Sequence, residues 1–145
     1  MIYIKDNTIT LEEAEKLKVF LSHPWRAWHG TAVTNIPNDH NIAVKIKSVV
    51  AHDKNFKEIE AAMITTFPTG ISKPFHLDTA RETTTGASIT FLNDDFKGGE
   101  AVVEGVEITP ILGRTYYFDG NMYQHAVLNV IKGNRHTLSL WYNNG

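Results

Sequence analysis

Cysteine is absent from this 145-residue sequence. Disulfides, zinc–thiolate sites and thiol nucleophiles are therefore all excluded, and His, Asp and Glu remain as the side chains able to bind a metal. The sequence also lacks a basic block, since 14 Lys and Arg residues against 16 Asp and Glu residues give a formal net charge of -2. We expect no nucleic-acid partner, because binding to phosphates needs a concentrated positive surface.

Long apolar runs are missing as well. No segment approaches the ~20 consecutive apolar residues of a membrane span. The opening, MIYIKDNTITLEEAEKL, has acidic residues where a signal peptide needs an apolar run. These absences predict a cytoplasmic protein with no membrane partner, while no pattern in the sequence sets its oligomeric state.

Two helices are predicted near the N-terminus. Thr10 and Glu13 have the spacing of a capping box, which predicts a helix from about Leu11 to Ser22. A second helix is predicted within residues 39–53, where four apolar residues share one helical face: Ile42, Ile46, Val49 and Val50. The stretch between them, residues 23–39, is predicted to be a loop.

From residue 57 onward the sequence consists of short β-rich runs separated by Gly, Pro and Asn. The runs are EIEAAMITTF, ASITFLN, EAVVE, VEITP, RTYYF, HAVLNVI and RHTLSLWY. Many short strands without intervening helical patterns predict an antiparallel sandwich or barrel. We expect one mainly β domain, with residues 1–56 as a helical support region and residues 57–145 as a jelly-roll core.

The triplet His76-Leu77-Asp78 is the first candidate for chemistry. On a strand, residues two apart point to the same face, so the imidazole and the carboxylate would lie side by side and could bind one metal ion. The triplet alone is weak, because a chain with 7 His and 16 acidic residues contains about one such triplet by chance. Its meaning depends on residues elsewhere in the sequence.

Two such residues follow in HAVLNVIKGNRHTLSLWY. His125 would complete a set of two histidines and one carboxylate, which is the facial triad of non-haem Fe(II) oxygenases. The triad leaves three coordination positions open, and these suit a bidentate 2-oxo acid plus O2. Arg135 heads the polar face of the last strand, where its guanidinium would bind the remote carboxylate of that acid.

Distance restricts how the chain can connect these residues. If residues 125–141 formed a flat hairpin centred on Gly133, His125 and Arg135 would lie about 20 Å apart at ~3.3 Å per residue, too far for one small co-substrate. The sequence therefore predicts that the chain turns a corner at residues 132–134 and crosses to an opposing sheet, as a double-sheet jelly roll does.

These segments resemble the prolyl 4-hydroxylase-like branch of the Fe(II)/2-oxoglutarate-dependent dioxygenases. The resemblance runs from about Ala61 to the C-terminus and rests on HLD, ITFLNDDFKGGE, VEITPILGRTYYF and HAVLNVIKGNRHTLSLWY in that order. It implies a double-stranded β-helix, a jelly-roll variant with supporting N-terminal helices. It also implies Fe(II) bound by His76, Asp78 and His125, and 2-oxoglutarate held by Arg135, with O2 as co-substrate and ascorbate as an optional cofactor.

The resemblance further implies decarboxylation of 2-oxoglutarate to succinate and CO2, coupled to hydroxylation of an unactivated C–H bond, with peptidyl proline as the first candidate substrate. A free amino acid or another small molecule is the alternative substrate, and a catalytically silent jelly-roll binding module is the alternative function. Nucleic-acid demethylases of the superfamily carry a second arginine where Trp141 stands here, and halogenases lack the carboxylate that Asp78 provides.

The sequence departs from the family at the co-substrate. Relatives contact 2-oxoglutarate with tyrosines at the positions of Phe67 and Phe91, and phenylalanine has no hydroxyl to donate. Ser139, Thr137 and Tyr116 are the candidate replacements, with Ser139 first because it shares the inward face with Arg135. The candidates for contact with the substrate are Trp141, on that same face, and Arg81, in the loop after the ligand strand.

Overall fold

The computed structural model describes residues 2–22, 26–28, 30–78, 81–119 and 121–145. Its α-helices are α1 (Leu11–Lys18) and α2 (Asn41–Ser48), and short 3-10 turns follow at Val19–Ser22 and Lys54–Phe56. Its strands are β1 (Ile2–Lys5), β2 (Arg26–Trp28), β3 (Thr31–Asn35), β4 (Glu58–Phe67), β5 (Lys73–His76), β6 (Gly86–Phe91), β7 (Lys97–Gly98), β8 (Ala101–Val103), β9 (Val106–Ile108), β10 (Thr115–Phe118), β11 (His125–Val127), β12 (Val130–Lys132) and β13 (Arg135–Asn143).

The elements form three layers. A large antiparallel sheet has the strand order β1-β10-β6-β13-β4-β3-β2, and a small antiparallel sheet has the order β5-β11-β8-β9. Leu17 of α1 and Ile46 of α2 pack with Leu138 in a core cluster on the outer side of the large sheet. A second cluster, which includes Phe91 and Val103, lies between the two sheets and occupies part of the space there. This architecture confirms the predicted jelly roll with two supporting helices.

The two faces of strand β13 contact different parts of the protein. Leu138, Leu140 and Tyr142 are fully buried in the cluster under the helices. Arg135 and Ser139 face the opposite way, into a cavity between the sheets. The predicted alternation along this strand is confirmed, and it follows from the two-residue period of an extended chain.

The predicted corner near Gly133 is also confirmed. The chain leaves the small sheet after β11, forms the short β12, which pairs with β7, and enters the large sheet as β13. Gly133 lies at the turn with a φ of +87°, and a Cβ atom there would come within 3.1 Å of the Cβ of Phe96. Glycine adopts this left-handed conformation without a steric penalty.

The N-terminal prediction is right for the helices and wrong for the loop. Helix α1 begins with the predicted capping box, in which Glu13 N donates to Thr10 Oγ1 at 3.1 Å and Thr10 N donates to Glu13 Oε1 at 2.9 Å. Residues 23–39, predicted as a loop, contain strands β2 and β3 of the large sheet; residues 23–25 and 29 lie outside the described ranges. Strand β3 forms because β4 offers it a hydrogen-bonding edge, with Ala32 opposite Thr66.

The first 56 residues therefore contribute three strands as well as helices. In the described parts of the chain, neither helix has the length and apolar character needed to cross a membrane.

Candidate metal centre and adjoining cavity

Two neighbouring strands of the small sheet bring the three predicted metal ligands together. His76 ends β5, His125 begins β11, and the two are directly opposite each other in the antiparallel register. Asp78 follows β5 by two residues. Its Oδ1 lies 3.2 Å from His125 Nε2 and 3.7 Å from His76 Nε2. One potential ligand atom from each residue lies within 4.8 Å of the others.

Backbone contacts fix the orientation of both imidazoles. The Nδ1 of His76 is 2.8 Å from the carbonyl oxygen of Pro74, and the Nδ1 of His125 is 2.9 Å from that of Tyr123. A carbonyl oxygen only accepts, so each Nδ1 carries the proton and each neutral Nε2 presents a lone pair. Hydrogen bonds of this kind set the tautomer of metal-binding histidines.

The electrostatics of the triad suit a cation. Burial lowers the pKa of His76, although the Pro74 carbonyl and the Asp78 carboxylate act in the opposite direction. The imidazole is therefore held in the neutral form that binds metals. Two lone-pair atoms at the distance of His125 Nε2 from Asp78 Oδ1 repel each other unless a cation or a proton lies between them. The donor set fits Fe(II) as a facial triad.

Arg135 lies on the opposite side of the cavity, on β13 of the large sheet. Its side chain is 1% exposed, and its Nε donates to the carbonyl oxygen of Gly99 at 2.8 Å. The rings of Phe67 and Phe91 flank the guanidinium, with centroids 5.3 and 5.2 Å from its central carbon. The Nη2 of Arg135 is buried and has no hydrogen-bond partner among the described residues.

An unpaired buried donor on a charged group is costly, so the guanidinium can bind an acceptor that the described residues do not supply. Burial lowers the pKa of Arg135, and Tyr116 and Glu100 partly offset this. Burial also raises the pKa of Tyr116, which the neighbouring guanidinium opposes. The Tyr116 hydroxyl therefore stays protonated beside Arg135 and can donate to the same acceptor.

One cavity of about 680 Å³ connects the two groups. His76, Asp78 and His125 line one part of it, Arg135 and Tyr116 another. The lining also includes five of the other candidate site residues: Phe67, Thr137, Ser139, Trp141 and Arg81. Phe91 is fully buried and contacts the site through Arg135 and the ring of Tyr116.

Two further residues of the site were not predicted from the sequence. Lys73 lines the cavity, although strict alternation would turn it away from the face of His76. The register explains this, because Val127 pairs with Lys73 while His125 pairs with His76, which leaves one extra residue in β5. Such a bulge reverses the facing of the residues before it. Pro74 in this edge strand was the available signal, since proline in a sheet marks an edge or a bulge.

The second missed residue is Gly99. It lies in the turn before β8, and its carbonyl oxygen anchors Arg135. In the sequence, the glycine pair 98–99 indicates a tight turn, and that pattern alone does not predict a contact with Arg135.

The loop after Asp78 is tied to the large sheet. Arg81 Nη1 donates to the backbone oxygen of Glu60 at 2.8 Å. The hydroxyls of Thr83 and Thr84 donate to the Glu60 carboxylate. These contacts hold Arg81 at the cavity wall.

The two facing antiparallel sheets, with the cavity between them, define the fold as a double-stranded β-helix. No family model and no curated protein matches the sequence, but solved structures match the fold over nearly the whole chain. The viral collagen prolyl hydroxylase of Paramecium Bursaria Chlorella virus-1, in its 2OG complex, has a TM-score of 0.77 at 17% identity, covering 97% of this chain and 93% of that chain.

Two cellular proteins have the same fold. A prolyl-4-hydroxylase from Pseudomonas putida has a TM-score of 0.77 at 15% identity, covering 98% of this chain and 91% of that one. A prolyl hydroxylase from Trichoplax adhaerens, in complex with a hypoxia inducible factor oxygen degradation domain peptide fragment, has a TM-score of 0.74 at 18% identity, covering 99% and 83%. At these identities the likeness establishes the fold.

Proposed function

We propose that this protein is an Fe(II)- and 2-oxoglutarate-dependent dioxygenase that hydroxylates an unactivated C–H bond. One observation carries the proposal: a single cavity joins three metal-binding side chains to a buried arginine with an unpaired donor. A silent binding module has no physical need for this combination, because each part is unfavourable without a ligand.

Each residue has a distinct role in this proposal. His76, Asp78 and His125 would hold Fe(II) from one side and leave positions open toward the cavity. Arg135, helped by the Tyr116 hydroxyl, would orient the distal carboxylate of 2-oxoglutarate. Phe67 and Phe91 would keep water away from the guanidinium, which strengthens its interaction with the carboxylate.

When bound, the iron, 2-oxoglutarate and O2 supply the oxidising chemistry, in which one oxygen atom enters the substrate C–H bond and the other enters succinate, with release of CO2. The protein contributes orientation and exclusion of water. We include ascorbate only as an optional reductant.

Peptidyl proline is the proposed substrate, with a free amino acid or another small molecule as the alternative. The compared structures include prolyl hydroxylases, one of them with a bound peptide fragment. Trp141 adds a flat apolar side chain to the cavity wall, which suits contact with a pyrrolidine ring.

Succinate formation tests the proposal. Purified protein supplied with Fe(II) should convert 2-oxoglutarate to succinate, faster with a proline peptide or a free amino acid that is a substrate. His76→Ala and His125→Ala should abolish turnover, because two remaining ligands bind the ion too weakly. His52→Ala is the matched control, since His52 is exposed and outside the cavity. Iron-dependent turnover that persists in both ligand variants would contradict the site.

A further inference from the structure

The charges along the cavity wall are unequal. Apart from the two histidines, the charged residues that line it among those the structure describes are three cations, Lys73, Arg81 and Arg135, and one carboxylate, Asp78. The other lining residues are mostly apolar or carry hydroxyl groups. A cavity of this kind favours anions.

The proposed co-substrate does not account for all of this positive charge. Under the proposed function, on which this step rests, Arg135 takes one carboxylate of 2-oxoglutarate. The divalent metal takes the other carboxylate together with Asp78. Lys73 and Arg81 then remain as two positive charges with no counterpart in the co-substrate.

Both cations are built into the wall of the cavity. Lys73 is turned inward by the bulge in β5 and is partly buried. Arg81 is held by its hydrogen bond to Glu60 O, and it forms no ion pair with a carboxylate in the described part of the protein. Lys73 is partly desolvated, whereas Arg81 is exposed at the cavity wall, so an anion that reaches them would be stabilised by one half-buried and one solvent-facing positive charge.

We propose that the prime substrate is anionic and that Lys73 and Arg81 bind its carboxylate. Two sources provide this chemistry: an acidic side chain close to the target residue of a peptide, and the α-carboxylate of a free amino acid. The two sources differ in what blocks binding, because amidation of the side chain affects only the first and amidation of the α-carboxylate only the second.

A panel of matched ligands tests the charge requirement. Proline peptides with Glu, Gln or Lys at each flanking position, and free amino acids with their amides, would be titrated into the protein with Mn(II) and 2-oxoglutarate. Dissociation constants and product masses would both be recorded. We expect the best acidic member to bind about tenfold or more tightly than its amide, since one charge-assisted contact contributes about a factor of ten or more.

Variants show whether these two cations cause the preference. Arg81→Gln and Lys73→Met should each bring the acid-to-amide ratio of affinities close to one, and Arg81→Glu should favour the Lys peptides. Lys132→Met is the matched control, because Lys132 is exposed and outside the cavity lining. That variant should keep the wild-type ratio.

The outcomes separate this proposal from the proposed function. If wild type binds no acidic ligand more tightly than its amide, or if both pocket variants weaken acid and amide equally, the anionic-substrate proposal is wrong. Absence of iron-dependent 2-oxoglutarate turnover, with the acid preference intact, would instead contradict the proposed function alone.

Discussion

The hydroxyl group of Tyr116 lies beside the guanidinium of Arg135 in the interior of the protein. The ring is held between two others, with its centroid 5.8 Å from that of Phe91 and 5.9 Å from that of Phe118. Tyr116 comes from β10, whereas the tyrosines expected by resemblance would stand at positions 67 and 91. Under the proposed function, we therefore expect Tyr116, rather than the first-ranked Ser139, to be the hydroxyl that contacts 2-oxoglutarate.

Removing that hydroxyl should weaken co-substrate binding. We expect Tyr116→Phe to raise the dissociation constant of 2-oxoglutarate about tenfold or more, because a hydrogen bond to a charged group contributes about 1.5–3 kcal/mol. The ring contacts remain, so the fold should be retained. Calorimetric titration of 2-oxoglutarate with Mn(II) measures the change without turnover.

Ser139→Ala is the comparison for this prediction. Ser139 lines the same cavity and is 6% exposed, so the two variants remove one hydroxyl each from the same wall. A larger loss of affinity in Ser139→Ala than in Tyr116→Phe would restore the ranking made from the sequence.

At the scale of elements, the turn between β7 and β8 supports Arg135. Gly99 has a φ of +68°, and a Cβ atom on it would lie 3.0 Å from the Cδ of Arg135 and 3.0 Å from the Cε2 of Phe96. Its carbonyl accepts from Arg135 Nε at 2.8 Å. The absence of a side chain lets the backbone approach the arginine closely enough for this contact.

Gly99→Ala should therefore act on both stability and binding. The left-handed conformation costs a residue with a Cβ atom about 1–2 kcal/mol of unfolding free energy, and the added methyl would displace Arg135 and weaken 2-oxoglutarate binding. Denaturant unfolding and calorimetric titration measure the two effects separately.

Gly105→Ala is the control for that variant, because Gly105 has a φ of +80° and open space where its Cβ would lie. It should lose a similar amount of stability without losing affinity. If both variants bind 2-oxoglutarate as wild type does, the turn does not position Arg135.

Local patterns predicted the elements that depend on local physics. The capping box of α1 and the alternation of β13 follow from neighbouring residues, so the sequence was sufficient for them. Strand β3 and the inward direction of Lys73 depend on pairing with β4 and β11, which lie far along the chain. Composition and periodicity contain no direct information about such pairings.

At the scale of the whole molecule, the site joins the two sheets. His76 and His125 belong to the small sheet and Arg135 to the large one. The sequence predicted these three residues, Asp78 and the corner at Gly133, because the ordered motifs and a distance argument required them to meet. The excess positive charge of the cavity was not predictable, since it depends on the bulge in β5 and on the anchoring of the loop that contains Arg81.

Because the residues that would bind the metal and the co-substrate come from both sheets, metal and 2-oxoglutarate should stabilise the entire fold. Ligands that bind only the native state add about 2.7 kcal/mol at a concentration one hundred times the dissociation constant, which corresponds to a rise in Tm of several degrees for a chain of this size. We expect Mn(II) alone to raise Tm and 2-oxoglutarate to raise it further, because under the proposed function the co-substrate would link the metal to Arg135 across the cavity. His125→Ala should show neither increase, and EDTA should reverse both in wild type. An equal metal-dependent rise in His125→Ala would mean that the ion binds elsewhere, and a rise with metal but none with 2-oxoglutarate would mean that Arg135 does not receive the co-substrate.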